Sequence, residues 1–108
     1  MSGVILTDHL GRKVRFTTER RRHILKYHPE MLEWVDRVGA VLAQPEQVVR
    51  SRSDPEAELF YAWQTWTRVG PKYLCVAVVV RSSDAFILTA YLTDAIKKGT
   101  VLWPRNDE

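Results

Sequence analysis

The side chains in this sequence best suited to chemistry are three histidines, His9, His23 and His28. Only histidine changes charge near neutral pH without help from its surroundings. On a continuous helix His23 and His28 point about 140° apart, so they cannot share a metal ion. Asp8-His9 adds only one more pair, in a polar loop where His9 is expected to be exposed. No metal and no other cofactor is expected. The single cysteine, Cys75, lies in the most apolar stretch of the chain. A thiolate is disfavoured there, so Cys75 reads as a core residue rather than a nucleophile.

A second constellation needs neither metal nor covalent intermediate. Arg50 and Arg52 alternate, and so share one face of a strand. Tyr61, Trp63 and Thr65 share a face of the next strand, and Thr89, Tyr91 and Thr93 a face of the last, with Lys97 following one turn later. Cations, hydroxyls and a histidine on an exposed sheet are what metal-free RNA cleavage requires. One group removes the 2′-OH proton, a cation stabilises the phosphorane, and another group protonates the leaving 5′ oxygen. Aromatic residues can stack an unpaired base. The same residues also suit an ordinary strand surface, and a histidine before a proline also suits a helix cap.

Charge adds a second line. Residues 1–26 carry seven basic side chains against Asp8 and Glu19, while residues 27–67 carry three against seven acids. Arg20, Arg21, Arg22 and Lys26 cluster on one predicted helix and could displace counterions from RNA. A block of this kind also forms a solvated helix face.

These residues must be positioned by surrounding elements. The chain has 108 residues, of which 45% are hydrophobic, and it shows no repeat or long linker, so a single domain over 1–108 is expected. Its longest apolar run, Tyr73 to Val80, is too short for a membrane span, and its first residues do not read as a signal peptide. A cytoplasmic protein without membrane contact is expected. Val4-Ile5-Leu6 and Val14-Arg15-Phe16 predict a short β-hairpin. A helix capped by Thr17 or Thr18 runs to His28, where Pro29 stops it. A second helix should run from Pro29 to Gln44, with Met31, Trp34, Val35, Val38, Val41 and Leu42 as its apolar stripe.

Strands follow from Val48 to Arg52, Leu59 to Thr67, Tyr73 to Arg81 and Phe86 to Thr93. The third, apolar on both faces, should be central. In the fourth, Phe86, Leu88, Ala90 and Leu92 should face one way and Ile87, Thr89, Tyr91 and Thr93 the other. A short helical turn through Ile96, Lys97 and Lys98 closes at Gly99. The fold class is therefore α+β: two N-terminal helices, after the hairpin, cover one face of an antiparallel sheet of about four strands. The other face should be wet and carry the hydroxyl stripe. Trp63 and Trp66 fall on opposite strand faces, so an exposed aromatic could hold a partner or a second copy in a homodimer.

Three stretches carry a resemblance. They are Arg22 to Glu30 (RHILKYHPE), Gln44 to Val48 with Arg50-Ser51, and Tyr91 to Gly99 (YLTDAIKKG). In this order the chain, from Thr17 to Gly99, resembles the phage-associated branch of the barnase/EndoU/colicin/RelE-like (BECR) nucleases. The resemblance implies N-terminal helices on a four-stranded antiparallel sheet and metal-independent RNA cleavage. It also implies a toxin or phage-conflict role, with an antitoxin or inhibitor protein as partner. Carried onto this chain, the helix histidine is His28 or His23, the strand cation Arg50 or Arg52, and the last-strand hydroxyl Thr89 or Tyr91, with Tyr61 and Lys97 as additions. The rival expectation is a catalytically inactive RNA- or protein-binding module of the same fold, gripping through Arg12 to Lys26.

Overall fold

A computed structural model describes residues 3–105. The expected hairpin forms, with β1 (Gly3–Thr7) and β2 (Lys13–Thr17) pairing antiparallel. Asp8 shapes its turn. One carboxylate oxygen accepts from the backbone N–H groups of Leu10 and Arg12, both at 2.9 Å, and Gly11 supplies the positive φ.

α1 (Thr18–Tyr27) begins and ends for the reasons legible in its sequence. Thr17 accepts from the Arg20 N–H at 3.1 Å, a cap worth about 1 kcal/mol. Glu19 sits at the positive end of the helix dipole and Lys26 at the negative end. The His28 N–H closes the last turn on the Ile24 carbonyl before Pro29.

The second expected helix is broken. Pro29–Glu33 and Val35–Arg37 are 3-10 turns, and only α2 (Val38–Ala43) is α-helical. Val35, Val38 and Gly39 are weak helix formers. Met31 and Trp34, like Val35 and Val38, are three residues apart, the repeat that aligns side chains in a 3-10 turn. The stripe therefore stays buried although the helix does not persist: Met31, Trp34, Val35, Val38, Val41 and Leu42 all lie in the core.

The sheet is larger than expected. β3 (Gln47–Arg50), β4 (Ala57–Gln64), β5 (Lys72–Arg81), β6 (Asp84–Thr93) and β7 (Thr100–Trp103) join the hairpin in one mixed seven-stranded sheet, ordered β1-β2-β6-β5-β4-β3-β7. The run β3-β4-β5-β6 is antiparallel throughout, and β5 is central with both faces covered. β2 joins β6 in parallel through Arg15↔Phe86. There the Arg15 guanidinium grips both oxygens of Asp84 and lies 5.4 Å from the Phe86 ring centre. The expected helical turn through Ile96, Lys97 and Lys98 does not form, and after Gly99 the chain runs on as β7, which pairs with β3. A Cβ on Gly99 would overlap the Arg50 carbonyl.

β3 ends at Arg50, so Arg52 lies in an exposed loop and not on the strand. β4 ends at Gln64, three residues before Thr67. In β6 the register steps from Ala77↔Thr89 to Val78↔Ile87, leaving Leu88 as an extra residue. This bulge puts Ile87 on the face of Ala90 and Leu92. Strict alternation, which groups Ile87 with Thr89, fails at this inserted residue.

The helices cover one face, where Ile24, Met31, Val35 and Leu42 pack on Phe60, Leu74, Val76 and Ile87. The opposite face is not simply wet. Val49, Leu59, Tyr61, Cys75 and Ala77 form a second buried cluster, with Tyr73, Leu88, Tyr91 and Ile96 packed against it. Among the described residues no helix is long and apolar enough to cross a membrane.

His9 is another correction. Its ring packs edge-on against Phe60 and Trp103, at 5.7 and 5.1 Å, and its buried Nδ1 has no hydrogen-bond partner among the described residues. Burial holds its pKa below the ordinary 6.5; Arg12 pushes the same way, while Asp8 and Glu58 oppose. The unfolded chain therefore takes up this proton first as pH falls. His9 contributes its full stability above about pH 6.5 and loses it as pH falls through the lower folded value. Urea midpoints between pH 7.5 and 5 should fall less in His9→Phe than in wild type, by the component due to this residue. Parallel curves would refute the assignment.

Candidate functional site

The geometry that matters begins at the edge of β6. β2 pairs with that strand at Arg15↔Phe86, and α1 packs on it as well. Arg20 Nη1 donates to the Leu88 carbonyl at 3.5 Å, and one helix length later the His28 ring stands 5.5 Å from the ring of Tyr91. α1 thus buries Ile24 on the helix-covered face while His28, the residue that caps its end, reaches round the strand edge to the other face.

On that other face the strand register draws a straight row. Tyr61 on β4 pairs with Cys75 on β5, and Cys75 pairs with Tyr91 on β6. His28 continues the row past Tyr91. The segment from Asp94 to Gly99 folds back over it: Ile96 packs against the cluster, and the Lys97 N–H donates to the Tyr61 hydroxyl oxygen at 3.1 Å. Lys97 Nζ lies 6.0 Å from the Tyr91 ring centre. An ion pair between Lys72 and Asp94 and a turn formed by Thr93 and Ala95 hold the start of this segment.

Burial governs the protonation of the row. It pushes the Tyr61 hydroxyl up to about 12, and the nearby Cys75 thiol acts in the same direction. It pushes Cys75 up to about 11, against the opposing influence of both phenols and Lys97. Tyr91 is raised as well, again chiefly by burial. Both phenols and the thiol therefore keep their protons at neutral pH. Tyr91 can donate a hydrogen bond but cannot act as a base, and Cys75 is no nucleophile. His28 supplies the imidazole of the row. The Glu30 carboxylate lies 3.7 Å from its Nδ1.

The structure brings together His28, Tyr91, Tyr61 and Lys97, with Thr89 on the same face one row away, opposite Ala77. Tyr61 is fully buried, so it reaches no ligand and instead anchors the Lys97 backbone. The remaining candidates lie elsewhere. His23 is exposed, with its ring tilted against that of Tyr27 at 4.7 Å. Arg50 sits on the helix-covered face of β3, one residue beyond Val49 of the other cluster, and donates to the Pro55 carbonyl at 3.1 Å. Arg50 and Arg52 therefore do not converge with the tyrosines.

The basic segment is partly neutralised. Arg12 pairs with Asp8 and Glu58, Arg15 with Asp84 and Arg21 with Asp36. Arg22 stays exposed, and Lys26 lies 5.4 Å from the Tyr27 ring centre. Sequence reading missed Glu30 as a partner for His28, although its position two residues later was a usable signal. Among the described residues no three His, Cys, Asp or Glu side chains gather as a metal site. Compared with family models, curated proteins and solved structures, the chain matches none.

Proposed function

We propose that the chain is a small metal-independent endoribonuclease of the BECR type, with the row ending at His28 as its active site. One observation carries this reading. A histidine at a helix end, a protonated tyrosine and a lysine meet on the sheet face away from the helices, over a buried layer that fixes two of them. The order of the sequence motifs and the antiparallel run β3-β4-β5-β6 support it.

In this reading the His28 imidazole takes the proton of the 2′-OH, whose oxygen attacks phosphorus. The Lys97 ammonium stabilises charge on the phosphorane, the role first expected of Arg50 or Arg52. The Tyr91 hydroxyl gives its proton to the leaving 5′ oxygen. Its raised pKa does not forbid this, because an alkoxide is a stronger base than a phenolate. The tyrosinate then recovers a proton from solvent, and His28 loses its own. The products are a 2′,3′-cyclic phosphate and a 5′-hydroxyl. Arg20, Arg22 and Lys26 on α1 extend the positive surface toward the RNA backbone. A toxin or phage-conflict role in the cytoplasm, restrained by an antitoxin or inhibitor protein, follows from the same family reading.

The test is cleavage of mixed cellular RNA in excess EDTA. Fragments ending in 2′,3′-cyclic phosphate are expected. No cleavage at any protein concentration would overturn the nuclease reading. Salt-sensitive RNA binding without products would then identify an inactive binding module.

A further inference from the structure

The row beside the one just described is also in register. Trp63 on β4 pairs with Tyr73 on β5, and Tyr73 pairs with Thr93 on β6. It lies on the same sheet face as Tyr61, Cys75 and Tyr91, because Trp63 is two residues from Tyr61 and Tyr73 two from Cys75. Its aromatic rings connect the rows. The Tyr73 ring stands 6.1 Å from Tyr61 and 4.9 Å from Trp63, edge-on to both. This edge-to-face contact restrains the indole, and Trp63 remains 43% exposed. A large aromatic held in one orientation yet open to solvent, beside a candidate phosphate site, suits the face of a base.

Charge gives this surface a direction. At the Tyr91 end stand His28 and Lys97, with Lys98 next in the chain. At the Trp63 end the cation Lys72 is paired with Asp94, and the Glu46 carboxylate accepts from the Trp63 backbone N–H at 2.9 Å. A phosphate is therefore favoured at the Tyr91 end and repelled at the Trp63 end, whereas an uncharged base fits beside Glu46.

We propose that Trp63, braced by Tyr73, is a base-stacking shelf that selects unpaired RNA and seats a nucleotide neighbouring the phosphate held by His28, Tyr91 and Lys97. This rests on reading the adjacent row as an RNA site. A duplex keeps its bases stacked on one another and cannot offer a free face, so the shelf discriminates by strandedness rather than by base identity.

The experiment uses the full chain and a short, labelled 2′-O-methyl RNA, which cannot be cleaved because it lacks the attacking hydroxyl. Anisotropy titrations compare this single strand with its own duplex. Wild type should prefer the single strand, and Trp63→Leu should weaken that binding about tenfold with little change for the duplex. Trp63→Phe should restore most of the affinity. Trp66→Leu, changing a 69% exposed tryptophan beside Trp34 and Arg37 instead, should leave it unchanged.

Equal single-strand binding by Trp63→Leu and wild type would overturn the shelf, as would no binding by wild type or an equal loss in Trp66→Leu. The two readings fail separately. RNA cleavage indifferent to Trp63 removes the shelf and leaves the nuclease. Trp63-dependent binding with no cleavage of natural RNA removes the nuclease and leaves the shelf.

Discussion

Replacing His28 with alanine should lower the rate of RNA cleavage by about 10²- to 10⁴-fold, the usual contribution of a positioned general base, while the protein stays folded. The two effects are separable because the helix end is closed by the backbone of His28 and not by its ring. The N–H that bonds the Ile24 carbonyl survives the substitution, and so does the Pro29 that stops the helix. The ring itself is half-buried and makes no hydrogen bond among the described residues, so its removal exposes little of the core. His28→Gln retains a polar side chain of comparable reach without a titrating nitrogen, and should be as inactive as alanine.

Tyr91→Phe removes only a hydroxyl and tests the donor role. A loss smaller than that of His28→Ala is expected, because water can replace a donor more readily than a held base. His23→Ala, which changes the exposed histidine, should keep wild-type turnover. The measurement is initial rate on a defined single-stranded RNA, with far-ultraviolet circular dichroism as the check on folding. Full activity in His28→Ala would remove the site assignment even if the protein cuts RNA.

Much of the architecture behind this prediction was legible in the sequence, and the gaps have particular causes. Sequence patterning identified the hairpin from its two apolar triplets, α1 from its threonine cap and the Pro29 stop, and the central strand from a run apolar on both faces. It missed the bulge at Leu88, since one inserted residue reverses the phase of everything before it and leaves no mark in composition. It missed β7, whose four residues become a strand only because the chain from Gly99 is held against β3.

The site was half legible for a related reason. His28, Tyr61, Tyr91 and Lys97 were found as residue types at suitable spacings. Which sheet face each would occupy depended on strand phase. Arg50, one residue from Val49, falls on the helix-covered face of β3, and Arg52 lies beyond the strand, so neither joins the tyrosines. Charge counting overstated the free cations, because acids distant in sequence, Glu58 and Asp84, return to meet Arg12 and Arg15.

The Arg12 contacts carry the second large expectation. The guanidinium bonds Asp8 at 2.7 Å and Glu58 through two hydrogen bonds at 2.7 and 3.2 Å, joining the hairpin turn to β4. Both carboxylates are almost wholly buried, and the Glu58 hydrogen bond is the main reason that the Arg12 pKa is raised. Removing the cation leaves two buried carboxylates without a countercharge, which typically costs about 3–5 kcal/mol. The Arg12 side chain is 30% exposed, so water can partly replace it, and the lower end of that range is expected for Arg12→Met. Against a net domain stability of about 5–15 kcal/mol, this is a large fraction.

Removing the whole network should cost far less. In Asp8→Asn/Arg12→Met/Glu58→Met the asparagine still accepts the Leu10 and Arg12 N–H groups that shape the turn, and the two methionines fill the space without charge. Urea unfolding of wild type, single and triple variants decides the matter. A single variant well below a recovered triple locates the cost in unpaired anions. Equal midpoints for Arg12→Met and wild type would mean that water already carries these charges. Because the network lies in the hairpin and not on the Tyr61-Cys75-Tyr91 row, Arg12→Met should still cleave RNA at temperatures where it remains folded. Its defect is then one of stability alone, opposite in kind to that of His28→Ala.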